Sequence, residues 1–335
     1  VNIVLIIPTG IGAEIGGHAG DGNPVAKLFG SLCDNLITHP NVVNASDINE
    51  MTENTLYVEG SILDRFLRGS ICLKKVNYNK ILLVTNPPLR KDIVNSVGAA
   101  RATIGADISV LVLNKPLVMV GGINDLGMPI GEVYGWQELV DQVSEYEFDA
   151  LAISTPIDVD RSTKLNYFRR GGVNPWGYVE AKASKLIATA INKPVAHAPV
   201  EATDRDDDEL MYLQEDVIVD PRMAAEVVSL CYLHCVLKGL HRAPRISNRG
   251  VSVDDVSFLI TPIDCVGEPH RACMERGIPI IAVKENKTCL NDKMPDEFII
   301  AENYLEAAGL VMASKAGVYY PSVRRPISYT KVVEC

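Results

Sequence analysis

The feature that most restricts what this 335-residue chain can fold into is a unit repeated along it. A short run of Val, Ile and Leu is stopped by Pro, Gly or Asn, and a stretch with apolar residues at helical spacing follows. Val4–Ile7 stops at Pro8 and Gly10, Lys80–Thr85 at Asn86, Pro87 and Pro88, and Val256–Thr261 at Pro262. Apolar runs this short read as strands buried on both faces, and helices between them let successive strands run parallel. Further strands are predicted at 55–59, 108–113, 117–120, 150–154, around Val195, at 279–283 and at 298–300. Helices are predicted at 61–67, 92–104, 136–146, 220–241 and 302–315, with one from Asn23 whose core face is Val25, Leu28, Phe29, Leu32 and Leu36. The chain is therefore expected to be α/β, with largely parallel sheets covered by helices on both faces. Its length suits two related halves, 1–148 and 149–335, with an interdomain cleft.

Polar side chains concentrate in the loops after these strands. Gly10, Gly12, Gly16, Gly17, Gly20 and Gly22 form a loop able to take positive φ and to approach a ligand closely, and it carries His18 and Asp21. Asn23 caps the helix that follows, with Pro24 at its first position. Beyond that helix lies a polar segment with His39, Asn41, Asn44 and Asp47. The pattern returns when GGVNP at 171–175 opens a helix capped by Asn174, and the strand after it delivers His197, Glu201 and Asp204. The Asn23–His39 spacing is seven residues shorter than Asn174–His197, about two helical turns. TPID occurs twice, as Thr155–Asp158 and Thr261–Asp264, each time after an apolar strand. In an open parallel sheet ligands sit at the carboxyl ends of strands, where all these loops fall.

The chemistry these residues suggest is proton transfer. His39 and His197 are expected to be opposed acid and base, oriented by Asp21, Asp47 and Asp204. Gly10, Gly12, Gly17, His18, Asn23, Asn41, Asn44, Thr155, Asp158, Arg170, Asn174, Thr261 and Asp264 are the expected substrate contacts, Arg170 as an anion clamp. Cys265, ahead of a helix start and with His270 nearby, is a candidate nucleophile. The competing readings are that Asp21 only ties down its turn, that His197 is buried and hydrogen-bonded in place, and that Cys265 is a small core residue. No HxH or HExxH spacing occurs, so no metal is expected. GIGAEIGG lacks the GxGxxG spacing of a dinucleotide loop, and the cofactor stays unspecified.

Composition bounds the partners. A net charge of −10 argues against nucleic acid or an anionic membrane, both of which call for a basic surface. No apolar run approaches the roughly 20 residues that span a bilayer, and VNIVLII lacks the basic flank of a signal peptide. Eight cysteines without a CxxC pair suit a reducing compartment. The expectation is a soluble cytoplasmic protein with a small-molecule substrate, compatible with a homo-oligomer.

The phrases GGHAGDGNP, THPNVVNASD, TLYVEGSILDRFLRG, GGVNPWGYVEA and ERGIPIIAVKEN resemble a bacterial, notably cyanobacterial, family known only as a domain of unknown function. The resemblance spans almost the whole chain and implies no reaction or ligand. The residues themselves lead to a small-molecule enzyme using general acid–base chemistry on a polar, anionic metabolite, as an isomerase, lyase or hydrolase. The alternatives are a nucleotide- or NAD(P)-dependent enzyme using the first glycine loop, and a non-catalytic metabolite-binding or assembly protein.

Overall fold

A computed structural model describes residues 1–45, 48–200, 218–228 and 232–333. Its strands are β1 Asn2–Leu5, β2 Asn35–Thr38, β3 Asn44–Ala45, β4 Ile48–Asn49, β5 Thr55–Tyr57, β6 Cys72–Lys74, β7 Lys80–Thr85 and β8 Asp107–Val112. They continue as β9 Val118–Ile123, β10 Pro129–Tyr134, β11 Ala150–Asp158, β12 Val195–Val200, β13 Arg245–Ser247, β14 Val256–Pro262, β15 Ile280–Val283 and β16 Ile299–Ala301. One sheet has the order β16-β15-β14-β1-β2-β5, with every neighbouring pair parallel. The second has the order β10-β9-β11-β7-β8, with β12 also on β11. Its β7, β8, β11 and β12 are parallel, and only β10 runs antiparallel, to β9. The fold is thus mixed α/β with mostly parallel sheets.

Period-2 alternation explains why both faces of these strands are covered. In β1, Ile3 and Leu5 enter one apolar core while Val4 enters the other; in β7, Ile81 and Leu83 oppose Leu82 and Val84. Each core draws on both sheets, and neither belongs to one half of the chain. The strands group in the same way: β1, β2 and β5 share a sheet with β14, β15 and β16, and those at 80–200 form the other sheet. Strand pairing therefore departs from the expected division at 148/149. The chain leaves the first sheet, builds the second, and returns.

Local departures have local causes. The helix expected to run from Asn23 past Leu36 is Asn23–Gly30; the backbone then turns, and Leu36 lies in β2 opposite Ile3. Asn23 opens that helix as its first residue, after Gly22. The expected helix at 220–241 is described as Ala224–Val228 and Tyr232–His241. A helix at Arg161–Arg170 and the strand β10 were not anticipated. The helix after GGVNP runs Gly177–Ile191, 15 residues against the 8 of Asn23–Gly30, which accommodates the longer asparagine-to-histidine spacing. Both helices return to a parallel strand, β2 beside β1 and β12 beside β11. No helix among the described residues is long and apolar enough to cross a membrane.

Candidate functional site

The two glycine loops picked out by their asparagine-proline signatures meet in space. Gly10 and Gly12 take φ of +72° and +60°, and a Cβ on them would lie 2.9 Å from the Tyr178 nitrogen and 3.2 Å from the Val173 nitrogen. Glycine is required at both positions by conformation and by contact. The positions expected to approach a ligand approach the backbone of the second loop instead, and Gly17 packs against the Ala13 carbonyl. The first loop is also clamped from below. Wholly buried Asn286, just past β15, accepts the Ile15 N–H at 2.9 Å, and its Nδ2 donates to the Ile15 carbonyl at 2.9 Å and to the Tyr304 hydroxyl at 2.7 Å.

So fixed, the loop carries His18 into a buried polar cluster. His18 is 4 % exposed, and its Nδ1 lies 2.7 Å from the Tyr167 hydroxyl. That hydroxyl is 3.1 Å from Oε2 and 3.3 Å from Oε1 of Glu226. Oε1 of Glu226 also accepts the Ala19 N–H at 2.6 Å. Three residues from three segments thus form a continuous hydrogen-bonded chain. The ring's other nitrogen, Nε2, has no partner among the described residues; it faces Gly171, where a Cβ would stand 3.7 Å away. Asp21, three residues on, has both carboxyl oxygens shielded from solvent, with only the Gly16 and His18 amides acting on them, and the Asn23 Oδ1 is shielded without a hydrogen-bond partner among the described residues.

The electrostatics follow from burial. Desolvation raises the Asp21 pKa to about 7, aided by the nearby Glu226 charge and opposed by the Gly16 and His18 amides and by Arg222. Glu226 is likewise raised to about 7, chiefly by desolvation, with the Ala19 amide and the Tyr167 hydroxyl working the other way. Burial lowers the His18 pKa, and Arg222 adds to this. The Arg222 guanidinium is itself engaged by Asp220 at 3.2 Å and Glu14 at 3.3 Å.

The two histidines expected to oppose each other are held differently. His39 accepts the Ile7 N–H at Nε2, 3.2 Å away, and burial lowers its pKa to about 4, so it is a neutral ring buttressing the exit of β1. His197, on β12, has Nε2 at 3.0 Å from the Thr155 carbonyl and 3.1 Å from its hydroxyl, while Nδ1 faces Glu180 at 3.3 Å. Both nitrogens are occupied, as in the reading of a buried histidine hydrogen-bonded in place. No hydrogen bond or ion pair joins His39 to His197 among the described residues. The repeated TPID has a shared role: Thr261 Oγ1 meets His270 Nε2 at 2.9 Å, just as Thr155 meets His197. His270 also accepts the Gly267 N–H, and its pKa is lowered to about 4, mainly by burial. Cys265 is 1 % exposed, burial pushes its thiol up to about 11, and its sulfur partner is Thr288 rather than His270. Burial thus favours the protonated thiol at neutral pH, and no base is hydrogen-bonded to it among the described residues.

Of the remaining candidates, Asn41 donates to the Thr9 hydroxyl, Asn44 to the Tyr57 hydroxyl at 2.7 Å, and Asn174 accepts the Trp176 and Gly177 amides. Asp158 and Arg170 are exposed, and Asp264 takes a positive φ in the turn after β14. Asp47, Glu201 and Asp204 lie outside the described residues. No group of three His, Cys, Asp or Glu side chains placed to hold a metal occurs among the described residues. Tyr167, Glu226, Arg222 and Glu180 went unnoticed in the sequence. Tyr167 lies just ahead of the second glycine loop, the one local signal available; Glu226 looks like an ordinary helix-surface residue.

No solved structure matches the chain. A protein of Synechococcus sp. (strain ATCC 27144 / PCC 6301 / SAUG 1402/1), named "Uncharacterized lipoprotein syc1174_c", is 36 % identical over 337 residues, covering 94 % of this chain and 91 % of its own length. Residues 2–324 match the family described as "Protein of unknown function (DUF3326)", and the chain belongs to that family.

Proposed function

We propose that this protein is a small-molecule enzyme working by general acid–base chemistry, with His18 Nε2 as the atom that exchanges a proton with the substrate. The observation that carries the proposal is the His18–Tyr167–Glu226 chain, which begins at an imidazole nitrogen without a partner among the described residues and ends at a carboxyl that titrates near neutrality. When Glu226 is ionised it only accepts, so Tyr167 donates to it and accepts from His18 Nδ1–H, leaving the Nε2 lone pair free. A substrate proton taken at Nε2 is balanced by passing the Nδ1 proton to Tyr167 and the Tyr167 proton to Glu226. The ring never holds a lasting charge, consistent with its lowered pKa, and the reverse sequence returns the proton. Isomerisation, elimination and hydrolysis all use such an exchange, and a base poised near 7 serves them at neutral pH.

The site lies where the two glycine loops meet, rather than between His39 and His197. The nucleotide alternative loses its main support, because the closest approaches of Gly10 and Gly12 are to protein backbone. The test begins with thermal-shift screening of polar metabolites, NAD, NADP and ATP, followed by product detection. Turnover of the metabolite found should fall about 100-fold or more in His18→Ala and in Tyr167→Phe. Turnover untouched by both variants would refute the assignment, and a stabilising ligand that is never converted would favour non-catalytic binding.

A further inference from the structure

The helix Tyr304–Lys315 carries two apolar seams, of which the core covers one. We propose that the other, together with residues 316–333, is where a second copy of this chain docks. The covered seam is Tyr304, Ala307, Ala308 and Val311. The second is Leu305, Gly309, Met312 and Ala316, all exposed, at spacings of four, three and four. That is the spacing of a helix–helix contact, which aligns the four on one narrow stripe. Leu305 is 75 % exposed, and a Cβ on Gly309 would meet nothing within 4 Å, so the stripe is open among the described residues.

The segment after the helix extends this surface. The Val318 N–H donates to the Ala313 carbonyl at 2.8 Å and Arg324 pairs with Glu306, so the backbone doubles back along the helix. Tyr319, Val323, Ile327, Tyr329, Val332 and Val333 are exposed, Tyr319 by 71 % and Tyr329 completely. Residues 326–333 make no hydrogen bond among the described residues. Ile327 and Tyr329 alternate with Ser328 and Thr330, the pattern of a strand without a neighbour. The two tyrosines offer roughly 300 Å², and the aliphatic side chains bring the surface toward the roughly 800 Å² that each partner of a standard interface buries.

Charge selects the occupant. The carboxylates bordering the stripe are neutralised within the chain, Glu306 by Arg324 and Glu302 by Lys284 at 3.1 Å. Two copies can therefore meet here without the repulsion that a net charge of −10 imposes elsewhere. Residues 316–333 contain Arg324, Arg325 and Lys331 and no Asp or Glu. With Arg324 committed to Glu306, Arg325 and Lys331 are left to complement the acidic remainder of a second copy. An anionic membrane is the competing occupant, but such surfaces hold clusters of about four to eight cations, and two are too few. A two-fold contact, stripe on stripe with each segment 325–333 crossing to the other copy, covers the apolar surface and pairs the charges together. It uses none of the groups assigned to proton exchange.

The test is sedimentation velocity of the full chain over a concentration series, with flotation on phosphatidylglycerol vesicles in parallel. A dimer with micromolar or tighter affinity is expected. Leu305→Glu combined with Met312→Glu should weaken it at least about 100-fold, and Lys331→Glu about tenfold at low salt. These side chains are exposed, so the circular dichroism of both variants should match that of the wild type. A chain that stays monomeric at about 100 μM, a dimer indifferent to either variant, or flotation with vesicles by a chain that is monomeric in solution would each overturn the proposal.

Discussion

Replacing Asp21 with asparagine should make the protein more stable above neutral pH, by an amount the burial of Asp21 sets. The folded-state pKa of about 7 lies above the ordinary 3.8, so between those values the folded chain holds a proton that the unfolded chain has released. The stabilisation associated with that proton is complete below about pH 4 and is lost as pH rises through about 7. At 1.36 kcal/mol per pH unit, the wild type gives up about 4 kcal/mol across this window through Asp21, as an upper bound. The substituted amide cannot ionise and gives up none of it. The difference between variant and wild type should therefore grow by up to about 3 kcal/mol from pH 4.5 to pH 8.5. For 335 residues unfolding together that is about 5 °C in Tm. Glu226 titrates in the same window and leaves the variant a residual slope, which subtraction at each pH removes. Urea unfolding of both proteins at several pH values measures it. A difference constant with pH, or one that shrinks toward pH 8.5, would refute the burial argument.

Other perturbations separate the scaffold from the site. Asn286→Ala strips partners from Ile15 N–H, the Ile15 carbonyl and the Tyr304 hydroxyl, and should cost about 3 kcal/mol in urea unfolding. Gly10→Ala, forced into a positive φ and against the Tyr178 nitrogen, should destabilise by at least about 2 kcal/mol, whereas Gly98→Ala, in open helix surface, should stabilise by up to about 1 kcal/mol. Iodoacetamide at pH 8 should label exposed Cys289 well before Cys265, read by peptide mass spectrometry; rapid labelling of Cys265 would restore it as a nucleophile.

How far the fold could be read from residues depended on the range of the forces involved. Lys80–Thr85 was bounded correctly because Asn86, Pro87 and Pro88 stop an unbroken apolar run. Asn35–Thr38 was missed because Leu32 and Leu36 continue the helical spacing of Val25 and Phe29 across the turn after Gly30, and periodicity does not register a turn. Pro129–Tyr134 contains a proline and a glycine, which read as loop, yet both suit an edge strand. The asparagine-proline loops were legible because capping and helix entry are local chemistry. Their partners were not: Tyr167 lies 149 residues from His18 and Glu226 lies 207 from Ala19, so only tertiary packing brings them together. The sequence marks His39 and His197 by their setting but not by their partners: the Ile7 N–H bonds Nε2 of His39, and Thr155 and Glu180 meet both nitrogens of His197, contacts that only the folded chain creates.

The central claim, a proton chain from His18 through Tyr167 to Glu226, is tested most directly by the nitrogen chemical shifts of the His18 ring in ligand-free protein. At pH 8.5, with Glu226 ionised, the account predicts a neutral ring protonated at Nδ1. As pH falls through about 7, Glu226 gains its proton and donates to Tyr167, which then donates to Nδ1, moving the ring hydrogen to Nε2. In Glu226→Gln, whose Oε1 still accepts from Ala19, the amide donates to Tyr167 and should hold the Nε2–H form throughout. An imidazolium at pH 8.5, or a tautomer indifferent to both pH and Glu226→Gln, would contradict it.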